Sequence, residues 1–171
     1  KPQAETLLQA ALRVRENAYA PYSHFCVGAA LLGADGVVYT GCNVENVSFG
    51  ATNCAERTAL FYAVSQGCRS FRAMAVVGGP AGPIQAVCSP CGICRQVLAE
   101  FCGPDFPVYL WDGSGAPQCV PLSRLLPATF SAAALGKIPK SEWITNKKRI
   151  EPCVSNDCVH DLNEKMPEKR L

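Results

Sequence analysis

The sequence predicts an α/β protein in three layers, an α/β/α sandwich in which helices cover both faces of a mixed sheet. After an opening pair of strands, apolar runs of strand length alternate along the chain with segments of helical periodicity. The chain has 171 residues, of which 49% are hydrophobic and 18% charged, and this composition is typical of one globular domain.

One helix and a β-hairpin are predicted in the first part of the chain. Apolar residues recur at helical spacing within residues 4–19, and Pro21 ends the pattern. Two β-rich runs follow at residues 25–32 and 37–40, and the turn between them contains Asp35 followed by glycine. This arrangement predicts an antiparallel pair of strands.

Helices and strands then alternate. Helices are predicted at residues 54–66 and 91–102, and a glycine directly follows each of them, as is common at helix C-termini. Strands are predicted at residues 71–77 and 107–111, and a short helix at 122–126.

The composition of the chain changes near residue 136. Residues 1–136 carry eight basic and eight acidic residues, whereas residues 137–171 carry eight basic and six acidic residues and few large apolar ones. A segment of the second kind has too little apolar surface to form a core. We therefore predict a catalytic domain at 1–136 and a polar extension at 137–171 that is peripheral or disordered.

Charge and cysteine content limit the partners and the compartment. A net charge of +2 is too small to favour nucleic acid, and the longest apolar runs are too short to cross a membrane. Eleven cysteines occur without an export signal in residues 1–30, which favours reduced thiols, some of them metal ligands, over a disulfide framework. We expect a cytoplasmic protein.

Three cysteines have the spacing of metal ligands. Cys91 and Cys94 stand three residues apart at a predicted helix start, where Pro90 is well suited, and Cys54 begins the other long helix. Three thiolates can bind Zn²⁺ at about 2.3 Å each and leave a fourth position open, as in catalytic zinc sites. Helix N-termini also favour the thiolate over the thiol.

Charged residues near these cysteines add to the prediction. Glu56 can take a proton from an attacking water and pass it on, as a general base and acid do. Three thiolates leave a bound Zn²⁺ with a net charge of −1, which opposes deprotonation of water. Arg57 and Arg95, each close to a cysteine in sequence, are the candidates to offset that charge.

Single members of this pattern have simpler interpretations. A Cys-x-x-Cys pair alone is compatible with structural zinc or a redox pair, and Glu56 alone with a solvated acid at a helix start. The compound pattern favours catalytic zinc. A second metal site at Cys153, Cys158 and His160 has loose spacing and lacks a fourth ligand.

Several motifs between Tyr19 and Phe130 together resemble the zinc-dependent cytidine deaminases, specifically the short class with three cysteine ligands. The motifs are Ala20-Pro21-Tyr22-Ser23, Phe25-x-Val27-Gly28-Ala29-Ala30-Leu31, Gly41-Cys42-Asn43-Val44-Glu45-Asn46, Cys54-Ala55-Glu56-Arg57-Thr58-Ala59, Ser89-Pro90-Cys91-Gly92-x-Cys94-Arg95-Gln96-Val97 and Leu125-Leu126-Pro127.

The resemblance implies roles for individual residues. It implies that Glu56 shuttles protons and that zinc is held by three ligands, Cys54, Cys91 and Cys94. It also implies that Asn43 and Glu45 hydrogen-bond the ribose 3′ hydroxyl and that Phe25 packs on the pyrimidine. From the residues alone, Phe25 could equally be a core residue, and Asn43 and Glu45 could be turn residues.

Backbone and neighbouring-subunit contacts are implied as well. The N–H of Ala55 would meet the base carbonyl, and the backbone of Ser89 would bind the exocyclic amine. Phe49 and Phe130 stand near positions at which family members extend aromatic side chains into a neighbouring site. The resemblance therefore implies a homotetramer.

The function implied is hydrolytic deamination of cytidine and deoxycytidine within pyrimidine salvage, with Zn²⁺ and without an organic cofactor. The nearest alternative is a deaminase of a related cytosine compound such as blasticidin, against which Glu45 argues. A structural zinc module in protein interactions is a further alternative. The substrate in the favoured case is a small pyrimidine nucleoside, with no nucleic acid or membrane partner.

Overall fold

The computed structural model of the protein describes residues 2–135. The predicted extension at 137–171 and the second metal site considered within it lie outside the described residues. Within residues 2–135, no helix combines the length and apolar character needed to cross a membrane.

A five-stranded mixed sheet forms the centre of the fold. Its strands, in the order in which they lie side by side, are β2 (Val38–Cys42), β1 (Cys26–Gly33), β3 (Phe71–Gly79), β4 (Pro107–Leu110) and β5 (Gln118–Pro121). Strands β1 and β2 form the predicted hairpin, and β3 and β4 are the parallel pair of this sheet. The strand β5 extends the sheet by antiparallel pairing with β4.

Helices cover both faces of the sheet. Within residues 2–135 the α-helices are α1 (Pro2–Arg15), α2 (Ala55–Ser65), α3 (Gly92–Phe101) and α4 (Leu122–Leu125). Leu7 and Ala11 of α1 pack with Ala30 and Val77 on one face of the sheet. The other helices pack on the opposite face, in a larger apolar cluster. This confirms the predicted three-layer α/β/α fold.

Two elements differ from the prediction. The first helix was predicted to reach residue 19, but α1 ends at Arg15 because the next N–H groups bond back over three residues and Tyr19 pairs with the segment at Val44. The strand β5 was not predicted because its four residues lie at a sheet edge and include Pro121, so no alternation pattern is visible.

Two glycines allow helices to lie close to the hairpin. A Cβ atom at Gly28 would overlap the carbonyl oxygen of Ala11 in α1, and one at Gly41 would lie 2.7 Å from the carbonyl oxygen of Ala55. The absence of a side chain at Gly41 therefore lets the first turn of α2 rest on β2. That turn carries three of the predicted site residues, Ala55, Glu56 and Arg57.

Candidate active site

Three cysteine sulfurs come together where α2 and α3 begin. Cys54 and Cys91 occupy the position just before each helix, with extended backbone, and Cys94 lies in the first turn of α3. The three sulfurs lie within 4.8 Å of one another, and the Sγ atoms of Cys54 and Cys91 are 3.8 Å apart. Cys94 is 1% exposed, whereas Cys91 is exposed to solvent.

This set of sulfurs fits a tetrahedral zinc ion. Zinc–sulfur bonds of about 2.3 Å at tetrahedral angles place two sulfurs about 3.8 Å apart. The distance between Cys54 and Cys91 has that value. Three sulfurs leave one of the four positions of the metal open, which is the property that separates catalytic from structural zinc.

The sulfurs hold their protons unequally. The pKa of Cys54 is lowered to about 5 because the Cys94 thiol donates a hydrogen bond to it, with further help from the guanidinium of Arg57. The same contact and burial raise the pKa of Cys94. Cys54 is therefore the more acidic of these two sulfurs. A divalent cation would also displace the proton of Cys94, because a cysteine binds a metal as the thiolate.

Of the two arginines predicted to offset the charge, Arg57 is the one that reaches a cysteine sulfur. Its Nη2 lies 3.6 Å from Cys54 Sγ and 3.1 Å from the carbonyl oxygen of Thr52, and its buried Nε has no hydrogen-bond partner within the described residues. Contact with the Cys54 sulfur raises the pKa of Arg57, so the guanidinium stays charged beside the cysteines.

Arg95, the second candidate from the sequence, has other partners. Its guanidinium donates to the carbonyl oxygens of Pro90 at 2.6 Å and Leu125 at 2.7 Å, and to Ser89 Oγ at 3.0 Å. It therefore connects the segment before Cys91 to the end of α4.

Glu56 is a buried carboxyl group beside the sulfurs. It lies in the first turn of α2, directly after Ala55, and is 4% exposed. Burial raises its pKa, and the negative charge of Cys54 adds to that effect. A carboxyl group with a raised pKa is better suited to accept and then release a proton near neutral pH.

Asn43 is a buried residue that joins β2 to β1. Its Oδ1 accepts a hydrogen bond from the N–H of Val27 at 2.8 Å, and its Nδ2 donates to the carbonyl oxygen of Phe25 at 2.9 Å. The side chain of Asn43 is 8% exposed, whereas that of Phe25 is 40% exposed. The aromatic ring is therefore accessible while its backbone is held.

Glu45 lies two residues further along the same segment. Its carboxylate accepts hydrogen bonds from the N–H groups of Tyr22 at 2.9 Å and Ser23 at 3.2 Å, and from the Ser23 hydroxyl. The Ser23 hydroxyl in particular lowers the pKa of Glu45. The carboxylate is thus charged and fixed in orientation.

A short backbone pairing brings the segment of Asn43 and Glu45 beside the segment that leads into Cys54. The N–H of Val44 donates to the carbonyl oxygen of Asn53, and the N–H of Asn53 donates back to Val44, both at 3.0 Å. Val44 lies between Asn43 and Glu45, and Asn53 directly precedes Cys54. The predicted sugar contacts are therefore next to the predicted metal ligands.

Comparison with known proteins identifies the family. A model of the cytidine and deoxycytidylate deaminase zinc-binding region matches residues 1–110, which include all three cysteines and Glu56. The chain belongs to this deaminase family. The resemblance noted in the sequence is thereby confirmed, and so is the expectation that the site suits Zn²⁺.

Individual members of the deaminase family are similar over most of the chain. The cytidine deaminase of Sporosarcina psychrophila is 54% identical over 127 residues, covering 74% of this chain and 90% of that protein. The cytidine deaminase of Halalkalibacterium halodurans is 52% identical over 128 residues, covering 75% and 94%. The crystal structure of cytidine deaminase from Burkholderia pseudomallei has a TM-score of 0.66 at 50% identity and covers 74% of this chain and 98% of that one.

Ser23 had no predicted role, although this residue lies within one of the motifs shared with the deaminases. Its contacts with Glu45 cross 22 residues of sequence and depend on how the segment 20–24 turns. No periodicity or spacing signals such a contact. A proline, an aromatic residue and a serine in succession are typical of an ordinary turn.

Proposed function

We propose that this chain catalyses the hydrolytic deamination of cytidine and deoxycytidine to uridine and deoxyuridine, as a step of pyrimidine salvage. The observation that carries the proposal is a buried carboxyl group, Glu56, beside three sulfurs that lie within 4.8 Å of one another. A structural zinc site has no use for such a group. The similarity to relatives named cytidine deaminase points in the same direction.

The metal site consists of Cys54, Cys91 and Cys94. When bound, Zn²⁺ supplies a Lewis acid that makes a water molecule acidic enough to attack at neutral pH. Arg57 offsets the negative charge of the three thiolates through its contact with Cys54 Sγ. Its guanidinium thus tunes the charge of the site.

Glu56 carries the protons of the reaction. Its carboxylate accepts a proton from the attacking water and delivers it to the ring nitrogen N3 as the oxygen bonds to C4. It then takes the remaining proton of that oxygen and delivers it to the leaving amine, so that the C4 carbonyl forms, the C–N bond breaks, and cytidine and water become uridine and ammonia. Its burial excludes bulk water from this exchange, and its raised pKa makes it a stronger base than an ordinary carboxylate for accepting each proton.

Phe25, Ala55 and Ser89 hold the base. The exposed ring of Phe25 packs against the pyrimidine, since a flat base is well matched by an aromatic face. Ala55 begins α2, where the first backbone N–H groups have no partner within the helix, so one can donate to the base carbonyl. The backbone of Ser89 accepts from the exocyclic amine.

Asn43 and Glu45 hold the sugar. After its contact with Phe25, the Nδ2 group of Asn43 retains a second N–H that can donate to a hydroxyl oxygen. The carboxylate of Glu45 can accept the hydroxyl proton. Together they provide the donor and the acceptor that one sugar hydroxyl requires.

We further propose a cytoplasmic homotetramer in which residues 1–136 carry the activity. The resemblance to the family supports assembly, and Phe49, 74% exposed, and Phe130, 61% exposed, are both accessible to a neighbouring subunit. The domain proposal is supported by the family match at residues 1–110 and by relatives that align over 127 and 128 residues.

Ammonia release tests the proposed function. The zinc-loaded protein is incubated separately with cytidine, deoxycytidine, cytosine, cytidine monophosphate and blasticidin. Turnover of the two nucleosides, well above that of the other compounds, is the expected result. Preferential turnover of blasticidin would show that the substrate is another cytosine compound. No turnover of any compound by the zinc-loaded protein would contradict the proposed deaminase activity.

A further inference from the structure

We propose that Ser23 is a positioning residue that fixes the sugar-binding carboxylate of Glu45 and the base-packing residue Phe25 in one arrangement. The inference rests on the proposed function and adds to it a residue that acts through two others. Ser23 is exposed and belongs to no helix or strand, so its contacts, rather than core packing, account for what it does.

The hydroxyl group of Ser23 has a partner on each side. It donates to Glu45 Oε1, and it accepts a hydrogen bond from the N–H of Phe25 at 3.1 Å. An ionised carboxylate can only accept, and a backbone N–H can only donate, so the direction of both bonds is determined. One oxygen atom therefore connects the two predicted substrate contacts.

The hydrogen bonds to Glu45 leave room for a ligand. Three donors occupy its carboxylate, two of them on Oε2 and the Ser23 hydroxyl on Oε1. A carboxylate has about four acceptor positions, so one remains on Oε1 for a sugar hydroxyl. The Ser23 hydroxyl thus fixes the carboxylate without using its full capacity.

The backbone of Phe25 is held on both sides. Its N–H donates to Ser23 Oγ, and its carbonyl oxygen accepts from Nδ2 of Asn43 at 2.9 Å. Between Ser23 and Phe25, His24 has a φ of 55°, a left-handed conformation that is unfavourable for a residue other than glycine. Such a conformation persists only where surrounding contacts enforce it, and the Ser23 hydroxyl supplies one of them.

Ser23→Ala removes both contacts of the hydroxyl at once. It leaves one oxygen of Glu45 and the N–H of Phe25 without their protein partner, and the turn between them is then free to relax. We expect kcat/KM for cytidine to fall by roughly tenfold, mainly through KM, because a lost hydrogen bond to a charged group has about this effect. Zinc content should not change.

Two further variants separate positioning from general structure. Ser23→Thr keeps the hydroxyl and should recover most of the parental kcat/KM. Ser65→Ala is the matched control, because Ser65 is likewise an exposed serine whose hydroxyl donates a hydrogen bond, here to the carbonyl oxygen of Tyr62 at 2.7 Å, at the far end of α2. It should retain parental kinetics.

Two comparisons test the connection to Glu45. For 3′-deoxycytidine, which lacks the hydroxyl assigned to Glu45, Ser23→Ala should have a smaller effect than for cytidine, since only the contact with Phe25 is lost. In a Glu45→Gln background, adding Ser23→Ala should likewise cost less than it costs in the parent. Thermal unfolding and zinc content are measured for every variant, and Ser23→Cys replaces Ser23→Ala if the latter does not fold.

Several results would overturn the inference. One is turnover of cytidine by Ser23→Ala within twofold of the parent. Another is a loss of kcat accompanied by loss of zinc, or a loss that Ser23→Thr does not recover. Equal losses for cytidine and 3′-deoxycytidine, additive with Glu45→Gln, would also overturn it. Absence of turnover by the parent would instead contradict the proposed function, and this inference with it.

Discussion

Replacement of Glu56 by glutamine tests proton transfer with the least change in shape. Glutamine keeps the size of the side chain and one acceptor oxygen, but it cannot take up a proton near neutral pH. Glu56 is 4% exposed, so bulk water cannot easily replace it as the base. General acid–base steps contribute about 10²- to 10⁴-fold, or about 2.7 to 5.5 kcal/mol of barrier, and we expect kcat for cytidine to fall by at least roughly 10²-fold.

The fold of the Glu56→Gln variant should be preserved. Burial raises the pKa of Glu56, which means that the folded protein disfavours its charged form, so a neutral side chain should not lower the free energy of unfolding. Ammonia release, zinc content and thermal unfolding are measured together. Glu100→Gln is the control, because Glu100 is exposed on α3 and undergoes the same chemical change. A variant at Glu56 that holds zinc and retains kcat within about fivefold of the parent would refute the assigned role.

Three further predictions concern the metal, the helix packing and the extension. Cys91→Ala should lose most of the zinc measured by elemental analysis, whereas Cys119→Ala, also an exposed thiol, should keep it, and equal zinc in both would contradict the ligand assignment. Gly41→Ala should lower the free energy of unfolding by about 1–3 kcal/mol in urea titrations, because a Cβ would overlap the backbone of α2, while Gly103→Ala, with open space around it, should be near neutral. A chain ending at residue 136 should retain parental kcat per folded site, and loss of kcat with unchanged assembly would show that residues 137–171 contribute to the site.

The metal site was predictable because its signals are local in sequence. Cys91 and Cys94 are three residues apart at the start of α3, so their spacing already places both sulfurs on one side of that helix. Cys54 directly precedes α2, so its sulfur lies at the start of that helix. What the sequence did not contain is the distance between the two helix starts. That distance depends on how both helices pack on the sheet.

Contacts of the substrate side were less predictable. The sequence assigned Asn43 and Glu45 to the sugar only through a resemblance, whereas their protein partners come from β1 and the turn before it. Which backbone groups they meet depends on the register of the hairpin, and a shift of one residue would change every partner.

The contacts of Arg15, outside the site, were equally hard to predict. Its guanidinium donates to the carbonyl oxygens of Cys26, Gly79 and Gly82, and no sequence pattern connects these residues.

The proposed metal and sugar halves of the site are joined by a pair of backbone hydrogen bonds. Val44 and Asn53 exchange two hydrogen bonds of 3.0 Å, and these residues are the direct neighbours of Glu45 and Cys54 respectively. Changes to side chains on the sugar half therefore leave this connection intact. It follows that zinc content and sugar recognition should respond to different substitutions, so a loss of nucleoside binding at full zinc content can be attributed to the turn and strand that hold Glu45.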